Sequence, residues 1–301
     1  MTQMKARRLP QMIGTWVGAM MILGLFGWPA LAATPIPPGK WSFVFTDAKG
    51  QPERPIRVYT YRPVKCDTRC PIVFVMAGAR RNASQYRDHW ELLADNYNVL
   101  IVAPEFAARH WPRAAAYNLG DMADQDDREK WAYSAVEHLF DEVRDGHNGY
   151  AIFGHSAGGQ FVQRMALFRP DNRATVMVAA NPGWYAMPEW RKDKASHPFP
   201  YSLVGSPVGE AELKRALQRR FVLLLGDKDG DPGDDSLDQG DGAKKQGDTR
   251  LERGESFFKA ATAAAGELGV TFAWELNEVP ATAHDGAAMS RIAAQALYGK
   301  R

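Results

Sequence analysis

Five continuous apolar runs along the chain predict parallel strands that are buried on both faces. A strand in the middle of a parallel sheet is covered by helices on both sides, so it reads as an unbroken hydrophobic segment rather than as an alternating one. The first run (PIVFVMAG) and the fifth (FVLLLG) both end in glycine. The five runs are residues 71–78, 98–106, 150–154, 174–180 and 221–226.

Three further segments predict strands of a different kind. Residues 41–46 (WSFVFT) and 56–63 (IRVYTYRP) alternate between apolar and polar positions, which is typical of half-buried strands. A short polar segment joins them, and we expect the two to pair antiparallel. Residues 271–279 (TFAWELNEV) predict a more polar last strand.

Helical patterns lie between these strands and complete an α/β fold. Strands that alternate regularly with helices predict a mostly parallel, doubly wound sheet with helices on both faces. One domain over residues 41–301 accounts for all of them, and the carboxyl ends of its parallel strands should form the edge where ligands bind. The predicted helices are residues 84–96, 128–145, 158–168, 210–220, 251–268 and 285–298.

The N-terminus has the pattern of an export signal. Lys5, Arg7 and Arg8 precede an uncharged apolar run over residues 12–28, and the small-residue triplet 30–32 (ALA) follows it. This order predicts a signal peptide over residues 1–32 that is cleaved after residue 32 or 33, and a short linker over residues 33–40. A retained membrane anchor is the alternative, although the run is shorter than the roughly 20 residues that a spanning helix needs.

The charge balance gives no reason to expect nucleic acid as a partner. The chain has 301 residues, 45% of them hydrophobic, and a formal net charge of +2. Without the three N-terminal cations, 34 basic residues face 35 acidic ones, whereas nucleic-acid binding calls for a basic face. No G-x-G-x-x-G motif follows the first parallel strand, so we expect no cofactor. The expected partner is a small-molecule or polymer substrate.

Cys66 and Cys70 are the two cysteines of the chain, four residues apart in a predicted turn. In an exported protein such a pair favours a small disulfide, because the compartment is oxidising. Two free thiols are the alternative. A zinc site is not expected, since no second pair of ligands has a suitable spacing.

The stretch YAIFGHSAGGQF supplies the strongest chemical signal. Residues 150–154 predict a buried strand, and Gly154-His155-Ser156-Ala157-Gly158 leads from it into a helix. This is the G-x-S-x-G motif in its strand–turn–helix context, which holds the serine on a sharp turn with its oxygen exposed. Ser156 is therefore the candidate nucleophile.

A serine hydroxyl needs a base, usually a histidine oriented by a carboxylate. Around such an elbow the acid and then the histidine follow the serine along the chain. His284 lies after the last strand, at the expected edge of the sheet, and is the candidate base. His197 lies in a proline-flanked stretch and is interpreted as a surface residue, and His155 as a structural residue that points away from the nucleophile.

The acid is expected in the loop after residues 221–226. Asp229 fits best, since the loop can curl toward the histidine there, and Asp227 is the alternative. Asp227, Asp229 and Asp231 also resemble the start of a calcium-binding loop. Pro232 and Asp238 then occupy the positions that should be glycine and glutamate, so we expect no metal.

An oxyanion hole needs two backbone N–H donors. One should be that of Ala157, directly after the nucleophile, and the other should come from the loop after the first parallel strand. Ala79 is the predicted second donor, with Arg80 as the alternative.

In this combination of motifs the chain resembles the α/β-hydrolase superfamily, most of all the branch of polyhydroxybutyrate depolymerases and feruloyl esterases. The stretches that carry the resemblance are residues 73–106, 153–170, 181–189, 223–240 and 283–289. It implies a serine hydrolase that acts through an acyl-enzyme, with Ser156, Asp229 and His284 as the triad. Many relatives have His-Gly in the oxyanion loop, whereas this chain has Ala77-Gly78.

Poly(aspartic acid) hydrolase is another relative by resemblance, and it draws attention to Arg80 and Arg81 beside the predicted oxyanion hole. These two are candidate contacts for an anionic substrate, with solvated surface charges as the alternative. Trp184 and Tyr185, which follow a strand end, are candidates for lining the substrate pocket, with a place in the core as the equal alternative. We therefore expect an exported hydrolase of carboxylic esters, small or polymeric. The alternatives are a hydrolase of amide bonds in an anionic polymer such as poly(aspartate), and a non-catalytic binding protein on the same fold.

Overall fold

An eight-stranded sheet forms the centre of the structure, a computed structural model that describes residues 34–67, 70–123 and 125–299. The predicted export signal lies outside these residues. The strands are β1 (Gly39–Phe45), β2 (Ile56–Arg62), β3 (Ile72–Met76), β4 (Leu100–Glu105), β5 (Tyr150–His155), β6 (Ala174–Ala180), β7 (Phe221–Gly226) and β8 (Trp274–Val279).

The strand order across the sheet is β1-β2-β4-β3-β5-β6-β7-β8. β1 pairs with β2, and β2 with β4, in antiparallel fashion, and every other neighbouring pair is parallel. The carboxyl ends of β3 and of β5 to β8 therefore meet at one edge of the sheet. The predicted α/β fold with a mostly parallel, doubly wound sheet is confirmed.

Helices cover both faces of the sheet because the central strands are apolar on both sides. On one face, α1, α2 and α8 pack against side chains such as Val75 and Phe153. On the other face, α3, α4, α5 and α7 pack against side chains such as Phe74 and Leu223. The helices are α1 (Ala83–His89), α2 (Glu91–Tyr97), α3 (Ala132–Val143), α4 (Ala157–Phe168), α5 (Glu210–Leu217), α6 (Asp241–Lys244), α7 (Arg250–Leu268) and α8 (Gly286–Tyr298).

Two of the predicted helices are interrupted at a buried tryptophan. The helix predicted over residues 84–96 is two helices, α1 and α2, which meet at Trp90, whose side chain packs on Phe153. The helix predicted over residues 128–145 becomes regular only after Trp131, which is extended and whose indole N–H donates to the Gln125 carbonyl. In both places the burial of a large ring decides the backbone path against the local helical pattern.

A disulfide joins Cys66 and Cys70, with their Cα atoms 5.4 Å apart. Both side chains are buried where the chain leaves β2 and enters β3. Within the described residues no helix is long and apolar enough to cross a membrane.

Candidate active site

Ser156 occupies the turn between β5 and α4 with a left-handed backbone, at φ 58° and ψ −121°. Such a conformation is strained for a serine, and it turns the side chain out at the start of the helix. Two distances show how tight the turn is. A Cβ at Gly154 would lie 2.1 Å from the Gly158 carbonyl oxygen, and a Cβ at Gly158 would lie 2.1 Å from the Met76 carbonyl oxygen. Only glycine fits at either position, so the flanking glycines allow the elbow to form.

His284 and Asp229 form a hydrogen-bonded pair at the same edge of the sheet. The Nδ1 atom of His284 lies 2.6 Å from Oδ2 of Asp229, and the carboxylate is only 5% exposed. His284 lies between β8 and α8, whereas Asp229 follows β7, so the pair forms only when two distant segments meet. A carboxylate at Nδ1 orients the ring and leaves Nε2 as the nitrogen that can act as a base.

Arg250 supports this carboxylate from the other side. Its Nη1 lies 3.2 Å from Oδ1 of Asp229 and 2.8 Å from Oδ2 of Asp234, and its Nη2 donates to Ser236. The Arg250 hydrogen bond, together with bonds from Ser236, holds the pKa of Asp234 well below its usual range. One buried guanidinium therefore fastens the acid and the loop that follows it to the first turn of α7.

Asp227, the alternative acid, has a different set of partners. Its carboxylate accepts the backbone N–H of Thr282 at 3.2 Å and lies near Lys228. It holds the loop that carries His284 but is not bonded to the histidine. Asn181 connects the same loops, because its amide accepts from the N–H of Gly226 and donates to the carbonyl of Ala283.

The loop after β3 holds the second predicted oxyanion donor. The Tyr117 hydroxyl donates to the Ala77 carbonyl at 2.7 Å, and the N–H of Arg81 donates to the Gly78 carbonyl at 3.0 Å. Among the hydrogen bonds of the described residues, none uses the N–H of Ala79 or Ala157. Both residues border the cavity beside Ser156, so two free donors are available there.

A cavity of about 560 Å³ lies over Ser156, and polar and apolar surface contribute to its lining in similar amounts. Among the described residues that line it, Tyr86 is the only aromatic one apart from the histidines, and Asp285, which caps α8, is the only carboxylate. The lining residues are Gly78, Ala79, Arg80, Asn82, Gln85, Tyr86, His89, His155, Ser156, Ala157, Gln160, Gly183, Ser236, Arg250, His284, Asp285 and Gly286.

No hydrogen bond joins the Ser156 hydroxyl to His284 in the described part of the chain, although both side chains face this cavity. Contacts of this kind are often long without substrate and shorten when it binds.

Arg81 lies elsewhere than predicted, whereas Arg80 is exposed at the cavity. Arg81 has a positive φ of 56° and is only 8% exposed. Its guanidinium donates to the carbonyls of Phe106, Trp111 and Arg113, and it stacks over Tyr117. With both Nη groups bonded to carbonyls inside the protein, Arg81 braces the oxyanion loop and is not available to a substrate.

Of the two places open to Trp184 and Tyr185, the structure shows the core. Tyr185 is fully buried and stacks on Phe257 with 4.5 Å between ring centroids. Trp184 packs between Tyr201 and the guanidinium of Arg164. The chain turns inward after Gly183, so the part of this stretch that borders the cavity is the glycine.

His155 borders the cavity instead of pointing away from the site. Its ring centroid lies 4.5 Å from that of His284, and its Nδ1 lies 2.9 Å from the Tyr86 hydroxyl. Burial lowers the pKa of His155 well below its ordinary value, and His284, His89 and Arg250 act in the same direction, so the ring is neutral. His197 packs on Tyr201 and is not part of the cavity lining.

The aspartates of the calcium-like stretch point to separate partners. Asp229 faces His284, Asp227 accepts backbone N–H groups, and Asp231 accepts from the N–H of Gly233. In the part of the chain that the structure describes, no three His, Cys, Asp or Glu side chains are grouped so that they could hold a metal ion.

Sequence patterns missed four residues that shape this site: Tyr86, Asn181, Gln160 and Arg250. Asn181 is the one with a local signal, since an asparagine directly after a buried strand is a common residue for the left-handed backbone that it adopts at φ 43°. The other three belong to helices, where nothing in the local pattern distinguishes them from packing or surface positions.

Two of the solved structures similar to this chain share its architecture over most of their length. Poly(aspartic acid) hydrolase-1 from Sphingomonas sp. KT-1 is 37% identical, with a TM-score of 0.81, over 88% of this chain and 100% of that one. LpqC, a poly(3-hydroxybutyrate) depolymerase from Bordetella parapertussis, is 34% identical, with a TM-score of 0.81, over 88% of this chain and 90% of that one.

An S-formylglutathione hydrolase from Agrobacterium tumefaciens is 16% identical with a TM-score of 0.53, over 88% of this chain and 96% of that one, and shares the fold. No model of a protein family matches the chain, and no curated protein sequence does.

Proposed function

Because the chain belongs to the α/β-hydrolase family that includes poly(aspartic acid) hydrolase-1 and LpqC, we propose that it is a serine hydrolase acting through an acyl-enzyme on carboxylic esters. Its relatives support hydrolase activity, and one observation carries the serine mechanism. Ser156, on its strained turn, and His284, held at 2.6 Å by Asp229 behind it, face one cavity together with two free backbone donors.

Each group has a defined role in the proposed reaction. His284 takes the proton of the Ser156 hydroxyl as the oxygen attacks the substrate carbonyl, and Asp229 stabilises the imidazolium that forms. The N–H groups of Ala79 and Ala157 bind the oxygen on which negative charge develops. His284 then gives its proton to the leaving alcohol, and water, activated by the same histidine, releases the acid from Ser156.

A fluorophosphonate probe tests the nucleophile directly. We expect the probe to modify Ser156 and to block hydrolysis of p-nitrophenyl acetate in the same proportion, because only a serine paired with a base reacts readily. Peptide mapping after labelling is the measurement. The Ser206→Ala variant, whose hydroxyl is bonded to the Leu203 carbonyl, should label as the natural protein does. A label on any residue other than Ser156 would refute the assignment.

Three polar side chains at the cavity favour a second candidate, hydrolysis of amide bonds in an anionic polymer. Arg80, Asn82 and Gln85 lie beside the oxyanion loop, where they suit a charged substrate chain. The relative named poly(aspartic acid) hydrolase-1 is consistent with such a substrate. With Arg81 buried, Arg80 is the residue that we expect to attract a polyanion.

Arg80→Ala tests this candidate. We expect kcat/KM on poly(aspartate) to fall by about two- to fivefold at low salt, as is typical of one exposed charge, while kcat/KM on a neutral p-nitrophenyl ester stays unchanged. The difference should shrink as salt rises, because charges are screened over about 8 Å at physiological ionic strength.

Arg144→Ala is the matched control, because Arg144 is exposed and follows α3, away from the cavity. It should affect neither substrate. If Arg80→Ala lowers kcat/KM equally on both substrates at every salt concentration, the anionic-polymer candidate is wrong and only the ester candidate remains.

Export is part of the proposal. The charged, apolar and small-residue segments at the N-terminus support it. The Cys66–Cys70 disulfide is consistent with it, because disulfides persist mainly in oxidising compartments. The N-terminal residue of the mature protein is the measurement that decides the point.

A further inference from the structure

The Tyr86 hydroxyl lies where three loops of the candidate active site meet. Tyr86 belongs to α1, is buried, and places its hydroxyl 2.9 Å from Nδ1 of His155, the residue before the nucleophile. A Cβ at Gly78 would lie 2.8 Å from the same oxygen, and one at Gly286 would lie 3.3 Å from it. The hydroxyl therefore touches the oxyanion loop, the elbow and the start of the helix that follows His284.

The glycines at two of these contacts leave the space that the hydroxyl fills. A side chain at Gly78 would collide with the oxygen, and one at Gly286 would press on both the oxygen and Nδ1 of His155, at 3.3 and 3.1 Å. Such close approach on two sides means that the three loops cannot shift independently while the hydroxyl is in place. Gly78 also faces the nucleophile, since a Cβ there would lie 3.6 Å from that of Ser156.

The protonation states of the pair are suited to a bridge. Burial raises the pKa of Tyr86 to about 12, although the Gly78 backbone opposes this shift, so the phenol keeps its proton. Burial keeps His155 neutral, and a neutral imidazole has one nitrogen that accepts a hydrogen bond. We infer that the phenol donates to Nδ1 of His155 while its oxygen faces the Gly78 N–H.

The bridge extends to the candidate base through ring contact. The His155 ring lies against that of His284, with 4.5 Å between centroids and 43° between planes. Nε2 of His155 is buried and has no partner within the described residues. A buried polar atom left unpaired costs free energy, and natural proteins keep such atoms mostly where function needs them.

We propose that Tyr86 and His155 form a positioning unit of this hydrolase, in which the phenol sets the distance between the two oxyanion donors and the imidazole supports the ring of His284. The proposal rests on the serine hydrolase function proposed above. Both residues act through Ala79, Ala157 and His284, so they are positioning residues and not catalytic ones.

The expected loss of kcat follows from how strongly the rate depends on the positions of the oxyanion donors. Loss of one donor typically lowers kcat by 10² to 10³, and a misplacement of about 1 Å can lower the rate by about 10². Tyr86→Phe keeps the ring and removes only the bridging oxygen. We therefore expect kcat to fall by roughly 10- to 50-fold while KM stays within about twofold, because the misplaced donors bind the transition state and not the ground state.

A trifluoromethyl ketone separates this role from a merely structural one. Its adduct with Ser156 forms when the serine oxygen bonds to the ketone carbon, the serine proton passes to His284, and the former carbonyl oxygen becomes an oxyanion in the hole. The inhibition constant should rise in Tyr86→Phe by about the factor by which kcat/KM falls. Tyr133→Phe is the control, since it removes another buried hydroxyl, one that donates to the Asn118 carbonyl. It should change thermal stability only.

His155→Leu provides a second route to the same bridge if Tyr86→Phe folds poorly. It should reduce kcat at least as much as Tyr86→Phe does. The double variant should be little slower than His155→Leu, because the two changes remove the same hydrogen bond. Additive losses would overturn the proposal. So would a kcat within twofold of the natural value in Tyr86→Phe, or an inhibition constant that does not change when kcat/KM falls.

Ser156→Ala, measured alongside, separates failure of this inference from failure of the proposed function. If Ser156→Ala abolishes activity and Tyr86→Phe has no effect, the positioning role alone is wrong. If Ser156→Ala retains full activity, the serine mechanism itself is wrong.

Discussion

Ser156→Ala is expected to lower kcat on p-nitrophenyl esters by roughly 10⁵- to 10⁶-fold. Without its hydroxyl the site has no nucleophile for the acyl-enzyme, and only binding and the oxyanion donors remain to accelerate attack by water. His284→Ala should cause a loss of similar size, because a serine hydroxyl is a weak nucleophile without a base. Steady-state and single-turnover kinetics of purified variants are the measurement.

Non-additivity is the sharper part of this prediction. The Ser156→Ala, His284→Ala double variant should be hardly slower than either single variant, since each change alone already disables the same unit. Ser206→Ala should leave kcat unchanged. If His284→Ala keeps most of the activity, another base serves Ser156, and the triad proposed here is wrong.

Asp229→Asn is expected to have the second largest effect, a loss of roughly 10⁴-fold in kcat with the fold retained. An asparagine at this position carries no charge, and with its oxygen kept by Arg250 its NH₂ group faces Nδ1 of His284 as a donor. The histidine then loses both its fixed tautomer and the charge that stabilises its protonated form. Kinetics at saturating substrate, together with thermal unfolding of each variant, separate this effect from a loss of structure.

Asp227→Asn is the matched control, two residues away in the same loop. Its carboxylate accepts a backbone N–H of the His284 loop and makes no bond to the histidine ring. We expect it to change kcat by less than about threefold, and an uncharged amide oxygen can still accept that N–H. A heavy loss in Asp227→Asn with little change in Asp229→Asn would exchange the two assignments.

The structure also explains why Asp229 is held so firmly. Arg250 donates to Asp229 and to Asp234 from a side chain that is itself buried. A buried charge is tolerated when it is paired, and each partner here compensates the other. The acid therefore has a fixed orientation before any substrate arrives, which is what a residue that orients a histidine requires.

The sequence by itself determined the sheet and the order of the chemistry. Unbroken apolar runs such as residues 71–78 and 221–226 predicted parallel strands buried on both faces, because burial on both faces requires apolar side chains at every position. Gly154 and Gly158 marked the elbow, because no side chain fits where the turn meets β3 and α4. Asp229 and His284 followed from their positions after strand ends, and the structure joins them by a hydrogen bond.

Only the tertiary structure decided which neighbouring side chain faces the cavity and which faces the core. Arg80 and Arg81 are adjacent and chemically identical, yet a positive φ at Arg81 directs its guanidinium to three carbonyls of a segment 25 to 32 residues away. The sequence allows Tyr185 equally at the cavity or in the core, and its stacking on Phe257 of α7 places it in the core. The Tyr86–His155 contact joins residues 69 positions apart. Local patterns do not encode such partners, because the direction of a side chain depends on segments that meet only in the folded protein.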